Sequence, residues 1–157
     1  MLQVDLKNAF RRANRDAAFV EVKRKYPDIW KWVYSSYYHN SFLVFGEEHL
    51  DSITGFQQGD PLAPLLFSLV LQPIIERIQA EALDERGAPP ALNVWYLDDG
   101  TIVGTRQQLA TTVDIITEAR PERGLHLSRQ EGTDQGKLVV WSPGHPAWTH
   151  TTPSTDQ

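Results

Sequence analysis

The sequence predicts an α+β fold in which an antiparallel sheet carries helices packed on one face. Its 157 residues suit one domain with a sizeable core, since 41% of them are hydrophobic and 22% are charged. Short β-rich runs recur in pairs joined by turn residues, which is typical of antiparallel hairpins. The helical patterns lie between these pairs instead of alternating with single strands, and that order favours α+β over α/β.

Four helices follow from apolar periodicity and from the residues at their ends. Asn14 has the residue type of an N-cap, and Pro27 both ends the first helix and opens the second. Asp60 is well placed to cap the third helix with Pro61 in its first turn, and Pro73 is expected to kink that helix. The predicted helices cover residues 15–26, 27–37, 61–82 and 107–120.

The other patterned segments alternate or concentrate apolar residues as strands do. The predicted strands cover residues 2–6, 41–45, 50–56, 93–97, 102–103, 125–127 and 138–141. Turns are expected at residues 46–48 and 132–136, and a loop at residues 86–91. Residues 143–157 are rich in Pro, Thr and Ser, so a disordered tail is expected after a domain of residues 1–142.

The stretch NVWYLDDGT at residues 93–101 carries the strongest chemical signal. Two β-rich runs flank an Asp-Gly turn, so a hairpin should hold Asp98 and Asp99 at its tip. Adjacent carboxylates beside large apolar side chains repel each other and are costly to desolvate unless a cation lies between them. The motif therefore suits a divalent-metal site, although an ordinary solvated turn has the same composition.

A third carboxylate, Asp5, lies on the polar side of the first predicted strand. If that strand and residues 93–97 are neighbours in the sheet, Asp5 and the Asp-Asp tip converge. Carboxylates without His or Cys partners select magnesium or manganese over zinc; the chain has no cysteine, and its five histidines show no paired metal spacing. Such ions suit phosphoryl or nucleotidyl transfer.

Composition limits the partners that the chain is expected to bind. Proteins that grip nucleic acid usually carry a basic surplus, so the net charge of −5 predicts binding that is weak or assisted. The longest apolar run, at residues 62–75, is interrupted by Pro64 and Pro73 and is too short to span a bilayer. No membrane partner is expected.

Three segments, in this order, resemble the motifs of reverse transcriptases. They are VDLKNAF at residues 4–10, QQGDPLAPLLF at residues 57–67 and YLDD at residues 96–99, which resemble motifs A, B and C. GLHL at residues 124–127 looks like the start of motif D, and the overall style is that of non-LTR retrotransposon and group II intron enzymes. Three motifs in matching order are far more specific than one. The resemblance, over residues 2–142, implies a polymerase palm.

The resemblance implies metal-binding roles for the acidic residues. Asp5 and Asp98 would hold two Mg²⁺ or Mn²⁺ ions, and Leu6 would contribute its backbone carbonyl. Asp99 would be the less direct third carboxylate. The implied partners are an RNA template with a DNA primer, and deoxynucleotides.

The resemblance also implies a nucleotide-binding set made of Phe10, Gln58 and Gly59. Phe10 corresponds to a steric gate that crowds a ribose 2′-hydroxyl, although its type also fits an ordinary core phenylalanine. Gln58 and Gly59 correspond to residues that line the nascent base pair and template. A glycine at that point suits close backbone approach by a ligand.

The chain also departs from the family pattern. Motif D usually contains a lysine that serves as proton donor, whereas SRQE stands at residues 128–131, which leaves Arg129 as the candidate. An arginine is a poor proton donor because its pKa is too high. The fingers and thumb regions are expected to be largely missing, so another chain would supply them. The interpretation is an RNA-directed DNA polymerase fragment, incomplete on its own.

The alternative is a catalytically inactive retrotransposon remnant that acts, if at all, as an interaction module. Such a module would use exposed apolar side chains, for which Leu65, Phe67 and Trp30 are the candidates. Another palm-type nucleotidyl transferase fits the QGDP and YLDD segments less well. Salt-dependent binding of a primer–template separates the polymerase from the remnant.

Overall fold

The computed structural model describes residues 1–39, 41–57, 59–126, 138–141 and 148–149. The helices in these ranges are α1 (Ala9–Arg12), α2 (Arg15–Lys25), α3 (Pro27–Tyr37), α4 (Ala63–Glu81) and α5 (Arg106–Ala119). The strands are β1 (Leu2–Asp5), β2 (Ser41–Phe45), β3 (Glu48–Ser52), β4 (Leu92–Tyr96), β5 (Asp99–Val103), β6 (Leu138–Val140) and β7 (Trp148–Thr149). This mixture confirms the predicted α+β class.

The first strand of the chain is the central strand of the main sheet. Five antiparallel strands follow the order β4-β5-β1-β6-β7, and β2 pairs with β3 in a separate ribbon. The condition that β1 is a neighbour of the strand at residues 93–97 is not met, because β5 lies between them. A tight turn forces β4 and β5 together, and β5 then offers its other edge to β1.

Alternation along β1 shows which face of the sheet is covered. Leu2 and Val4 are buried, whereas Gln3 between them is exposed. The buried side chains meet the helical layer, in which α4 contacts α1, α2, α5 and β4. The opposite face is open along β4, where Val94 and Tyr96 are exposed, Tyr96 to 78%. The helices therefore pack on one face of the sheet, as predicted.

The helix ends follow the capping residues in most cases. The Asn14 side chain accepts hydrogen bonds from the backbone of Asp16 and Ala17 at the start of α2. Thr105 and Gln108 form a reciprocal capping box at the start of α5. The prediction of Pro61 as the first residue of α4 is wrong, because residues 60–62 form a turn and the helix begins at Ala63. α4 is continuous through Pro73.

The ribbon and the C-terminal segments differ from the predicted strands. β3 ends at Ser52 instead of residue 56, because Arg15 binds the backbone carbonyls of Thr54 and Gly55, which are then not available to a partner strand. The turn before β3 is shorter than predicted, since Glu48 belongs to the strand.

The segment around Leu125 is not a strand, because residues 120–125 fold back in successive turns and the Leu125 amide donates to the Arg120 carbonyl. Trp148–Thr149, inside the segment expected to be a tail, pairs with β6. The expected turn at residues 132–136 lies outside the described residues.

The apolar residues expected at a binding surface are mostly covered. Phe67 is fully buried, so its expected exposure is wrong. Trp30 packs against the rings of Phe19 and Tyr34 and is half-buried, and Leu65 is at the margin of exposure. Among the described helices, none has both the length and the apolar character needed to cross a membrane.

Candidate active site

The two adjacent aspartates lie in different parts of the β4–β5 hairpin. Leu97 and Asp98 form the connection, with Leu97 at a φ of 55°, and Asp99 is the first residue of β5. The prediction of an Asp-Gly turn is therefore wrong. Gly100 lies inside β5 opposite Trp95, where a Cβ atom would come within 2.7 Å of the Trp95 ring. The glycine serves cross-strand packing there and not the turn.

Asp5 is brought to these aspartates by the pairing of β1 with β5. Asp5 and Asp99 are direct partners in the antiparallel register, so their side chains leave the same face of the sheet. Beyond that pair, the Leu6 amide donates a hydrogen bond of 3.3 Å to the Asp98 carbonyl. The end of β1 and the β4–β5 turn are thereby joined, and the three predicted carboxylates belong to one local region.

The electrostatics of Asp98 confirm that the carboxylates influence one another. Burial raises the pKa of Asp98 above its ordinary value, and the nearby charges of Asp99 and Asp5 raise it further against an opposing backbone hydrogen bond. A carboxyl group in this position is partly shielded from water and lies next to like charge. A divalent cation would relieve that repulsion, so the donor set fits such an ion chemically.

A divalent cation bound here would have few protein ligands. Among the described residues, no three His, Cys, Asp or Glu side chains are grouped closely enough to hold one metal ion together. Asp5 and Asp98, supplemented by the Leu6 carbonyl, remain a donor set of oxygen atoms only. Magnesium commonly binds through one or two carboxylates and takes its other ligands from water and substrate phosphates.

A shallow cleft of about 230 Å³ adjoins this region on the open face of the sheet. Its lining residues come from β1, β5 and β6, and they are Gln3, Val4, Asp5, Asp99, Gly100, Thr101 and Val139. Asp5 and Asp99 therefore border an accessible cleft. A substrate that reached the carboxylates would approach from the face of the sheet that the helices leave open.

Phe10 follows β1 on the short helix α1. Its ring stacks on that of Phe67 in α4, with centroids 4.8 Å apart and an interplanar angle of 20°. Phe10 is only partly buried, although it packs against the core. Both expected roles, a core phenylalanine and a gate at the edge of the site, are compatible with this position.

The second nucleotide-binding segment precedes α4. Gly59 has a φ of 94°, a conformation that side chains rarely adopt, and none of the described atoms lies within 4 Å of where its Cβ would be. The backbone conformation thus requires the glycine. Gln58 and Arg129 both lie outside the described residues.

Behind Gly59 lies a buried polar cluster that the sequence did not reveal. The Tyr37 hydroxyl donates to the Asp60 carboxylate, and the Arg15 guanidinium lies 5.7 Å from the centroid of the Tyr37 ring. In the sequence, Asp60 is predicted as a helix cap, and Tyr37 falls in the predicted helix of residues 27–37. Trp30, Val33 and Tyr37 are spaced i, i+3 and i+7 in that helix, and this spacing predicts burial and not a polar partner.

A basic environment surrounds the start of the segment that resembles motif D. Burial lowers the pKa of His126, and the positive charges of Arg12 and Arg120 lower it further. The His126 carbonyl accepts a 2.7 Å hydrogen bond from the Lys7 amide, next to the end of β1. This segment is therefore attached close to the region of Asp5.

Comparison with known protein families gives one assignment. The family model described as "Reverse transcriptase (RNA-dependent DNA polymerase)" matches residues 1–130. That range contains every residue that the motif resemblance singled out, from Asp5 to Arg129. None of the curated proteins compared with the chain matches it.

Proposed function

Because the chain belongs to the reverse transcriptase family, we propose that it catalyses metal-dependent, RNA-directed addition of deoxynucleotides to a primer 3′-hydroxyl. The observation that carries this proposal is the register of β1 with β5. It sets Asp5 opposite Asp99, while the adjoining turn holds Asp98 as a carboxyl group with a raised pKa. The partners in this reaction are an RNA template with a DNA primer, and deoxynucleoside triphosphates.

Asp5 and Asp98 would hold Mg²⁺ or Mn²⁺, with the Leu6 carbonyl as a further oxygen donor. When bound, such ions lower the pKa of the primer hydroxyl and offset the charge that develops on the phosphate oxygens. Asp99 is more exposed than the other two carboxylates, and its charge raises the pKa of Asp98. The grouping of carboxylate oxygens from Asp5, Asp98 and Asp99 is what would suit the site to cations.

The nucleotide would be oriented by side chains on α1 and by the turn before α4. Phe10, supported from behind by Phe67, would present its ring edge to the sugar and exclude a 2′-hydroxyl. Gln58 and Gly59 would line the base pair, since the bare Gly59 backbone permits close approach. Arg129, the candidate in motif D, would at most orient the pyrophosphate by its charge, because a guanidinium rarely releases a proton.

The test is deoxynucleotide incorporation on a short primed RNA template with magnesium or manganese. Asp98→Asn keeps the size of the side chain but removes its charge, and the rate is expected to fall by at least about a hundredfold. Asp114→Asn is the matched control, because Asp114 is an exposed aspartate on α5, and it should retain the wild-type rate.

The outcome separates the two readings of the chain. Incorporation that is lost in Asp98→Asn and kept in Asp114→Asn would establish a working carboxylate site. A wild-type protein that is folded by circular dichroism and yet incorporates nothing would refute the proposal and favour the non-catalytic remnant.

A further inference from the structure

We infer that Tyr37 is a positioning residue for nucleotide addition, because it holds Asp60, whose amide hydrogen-bonds the Gln57 carbonyl on the other side of Gly59. This inference rests on the proposed function, in which the turn at residues 57–60 lines the nascent base pair. Tyr37 lies at the end of α3, outside all the motif segments. Its role would be to fix one wall of the nucleotide site without touching the nucleotide.

A single hydroxyl group contacts both ends of the turn. The Tyr37 hydroxyl donates to Oδ2 of Asp60, whose Oδ1 accepts a 2.8 Å hydrogen bond from the Leu62 amide at the start of α4. The backbone of Gln57 also forms a hydrogen bond with the Tyr37 phenol. The Asp60 amide donates a 3.3 Å hydrogen bond to the Gln57 carbonyl. Burial first, and Asp60 second, raise the pKa of Tyr37, so the phenol stays protonated and remains a donor.

The ring that carries this hydroxyl is itself fixed. Tyr37 is 5% exposed, and its ring meets Phe56 edge-to-face with centroids 5.6 Å apart. Arg15 is 8% exposed, and its guanidinium lies over the Tyr37 ring. The Arg15 Nε also donates a 2.7 Å hydrogen bond to the Gly55 carbonyl. Phe56 and Gly55 lead directly into the turn, so the segment that contacts the Tyr37 ring is continuous with the turn.

The same segment is fastened to the helix that carries Phe10. The Phe56 amide donates a 2.7 Å hydrogen bond to the Phe10 carbonyl, and the Gly55 amide donates a 2.9 Å hydrogen bond to the Ala13 carbonyl. At Gly55 a Cβ atom would come within 2.3 Å of the Arg11 backbone, so the two chain segments are in direct contact. The turn and Phe10 would form two walls of the proposed nucleotide site, and Tyr37 helps to set the distance between them.

The experiment compares Tyr37→Phe with Tyr34→Phe in the full chain, by steady-state deoxynucleotide incorporation on primed RNA. Tyr37→Phe keeps the packed ring and loses one hydrogen bond to a charged acceptor. KM for the deoxynucleotide is therefore expected to rise about tenfold while kcat stays within about twofold. Tyr34→Phe removes a hydroxyl from the same helix whose partner is Tyr38, and it should keep the wild-type KM.

A second measurement, amide hydrogen exchange at residues 57–60, does not depend on catalysis. Exchange is expected to be about tenfold faster in Tyr37→Phe and unchanged in Tyr34→Phe. An unchanged exchange rate, or an unchanged KM in active protein, would overturn the inference. A fall in kcat at constant KM would overturn it as well, since that result indicates only a smaller folded fraction.

The two proposals fail in distinguishable ways. If the wild type incorporates no deoxynucleotide, the proposed function fails, and hydrogen exchange alone then decides whether Tyr37 orders the turn. If Asp98→Asn abolishes incorporation while Tyr37→Phe behaves as the wild type in both measurements, the function stands and the positioning role is refuted.

Discussion

The hairpin turn partly shields the carboxyl group of Asp98 from water, whereas its neighbour Asp99 is exposed. Burial is the main cause of its raised pKa, and the charges of Asp99 and Asp5 add to it. The folded chain therefore favours the protonated form of Asp98 more than the unfolded chain does. Ionising this group in the folded protein costs stability unless a cation is bound.

We predict that Asp98→Asn stabilises the metal-free protein at neutral pH. A raised folded-state pKa means that the wild type loses stability as the pH rises from the unfolded-state pKa through the folded-state one. The variant has no such loss. Urea denaturation from about pH 4 to about pH 7 measures the free energy of unfolding of both proteins. The two values should agree at the acidic end, and the value for Asp98→Asn should be the larger at higher pH.

Magnesium provides the control for that measurement. The ion should raise the melting temperature of the wild type at pH 7 more than that of Asp98→Asn, because it binds only the folded chain. Parallel pH profiles for the two proteins would contradict the raised pKa. Equal responses to magnesium would contradict the assignment of Asp98 as a ligand.

The β4–β5 hairpin depends on a glycine that permits close packing of a tryptophan ring. The Trp95 ring packs over Gly100 from the neighbouring strand. The Trp95 indole N–H donates a 2.9 Å hydrogen bond to the Asn93 side-chain oxygen. Leu97 takes the left-handed conformation in the turn, which disfavours a non-glycine residue. The strain at Leu97 is tolerated because both strands are paired along their length.

We predict that Gly100→Ala destabilises the protein by about 1–3 kcal/mol, because the new methyl group displaces the Trp95 ring. Chemical denaturation measures the change. In a Trp95→Leu background, where the ring is absent, the same substitution should cost much less, so the two changes should be strongly non-additive. Additive costs would indicate that the glycine is needed for its backbone conformation instead.

The net negative charge of the chain disfavours binding of the proposed nucleic-acid substrate. The chain has 15 basic and 20 acidic residues. A primer–template is a polyanion, so binding depends on local groups of cations and not on the overall field.

We predict that primer–template binding is weak and depends only modestly on salt. With about two phosphate contacts, affinity should fall roughly tenfold between 50 mM and 200 mM salt. Fluorescence anisotropy of a labelled primed RNA measures both quantities, and a scrambled duplex of equal charge tests for specificity. A loss of about a thousandfold would instead indicate six or more phosphate contacts.

Most of the fold could be predicted because local signals agree with the final structure. Asn14, Pro27 and the Thr105–Gln108 box act within one turn of their own positions, so the helices they begin are fixed locally. Strand identity in β1 likewise follows from simple alternation. The strand limits near Ser52 and Leu125 could not be predicted, because Arg15 and the turns at residues 120–125 compete for the backbone there.

Residue types at fixed spacing were enough to predict the class of fold and the family, and they marked Asp5, Asp98 and Asp99 as the candidate carboxylates. The packing of segments distant in the chain was needed to show that β5 and not β4 meets β1, which pairs Asp5 with Asp99. It also decided that Gly100 packs under Trp95 and that Tyr37 reaches Asp60 across 23 residues of chain. These contacts join residues far apart in the chain, and no local pattern records which partner a buried polar group will find.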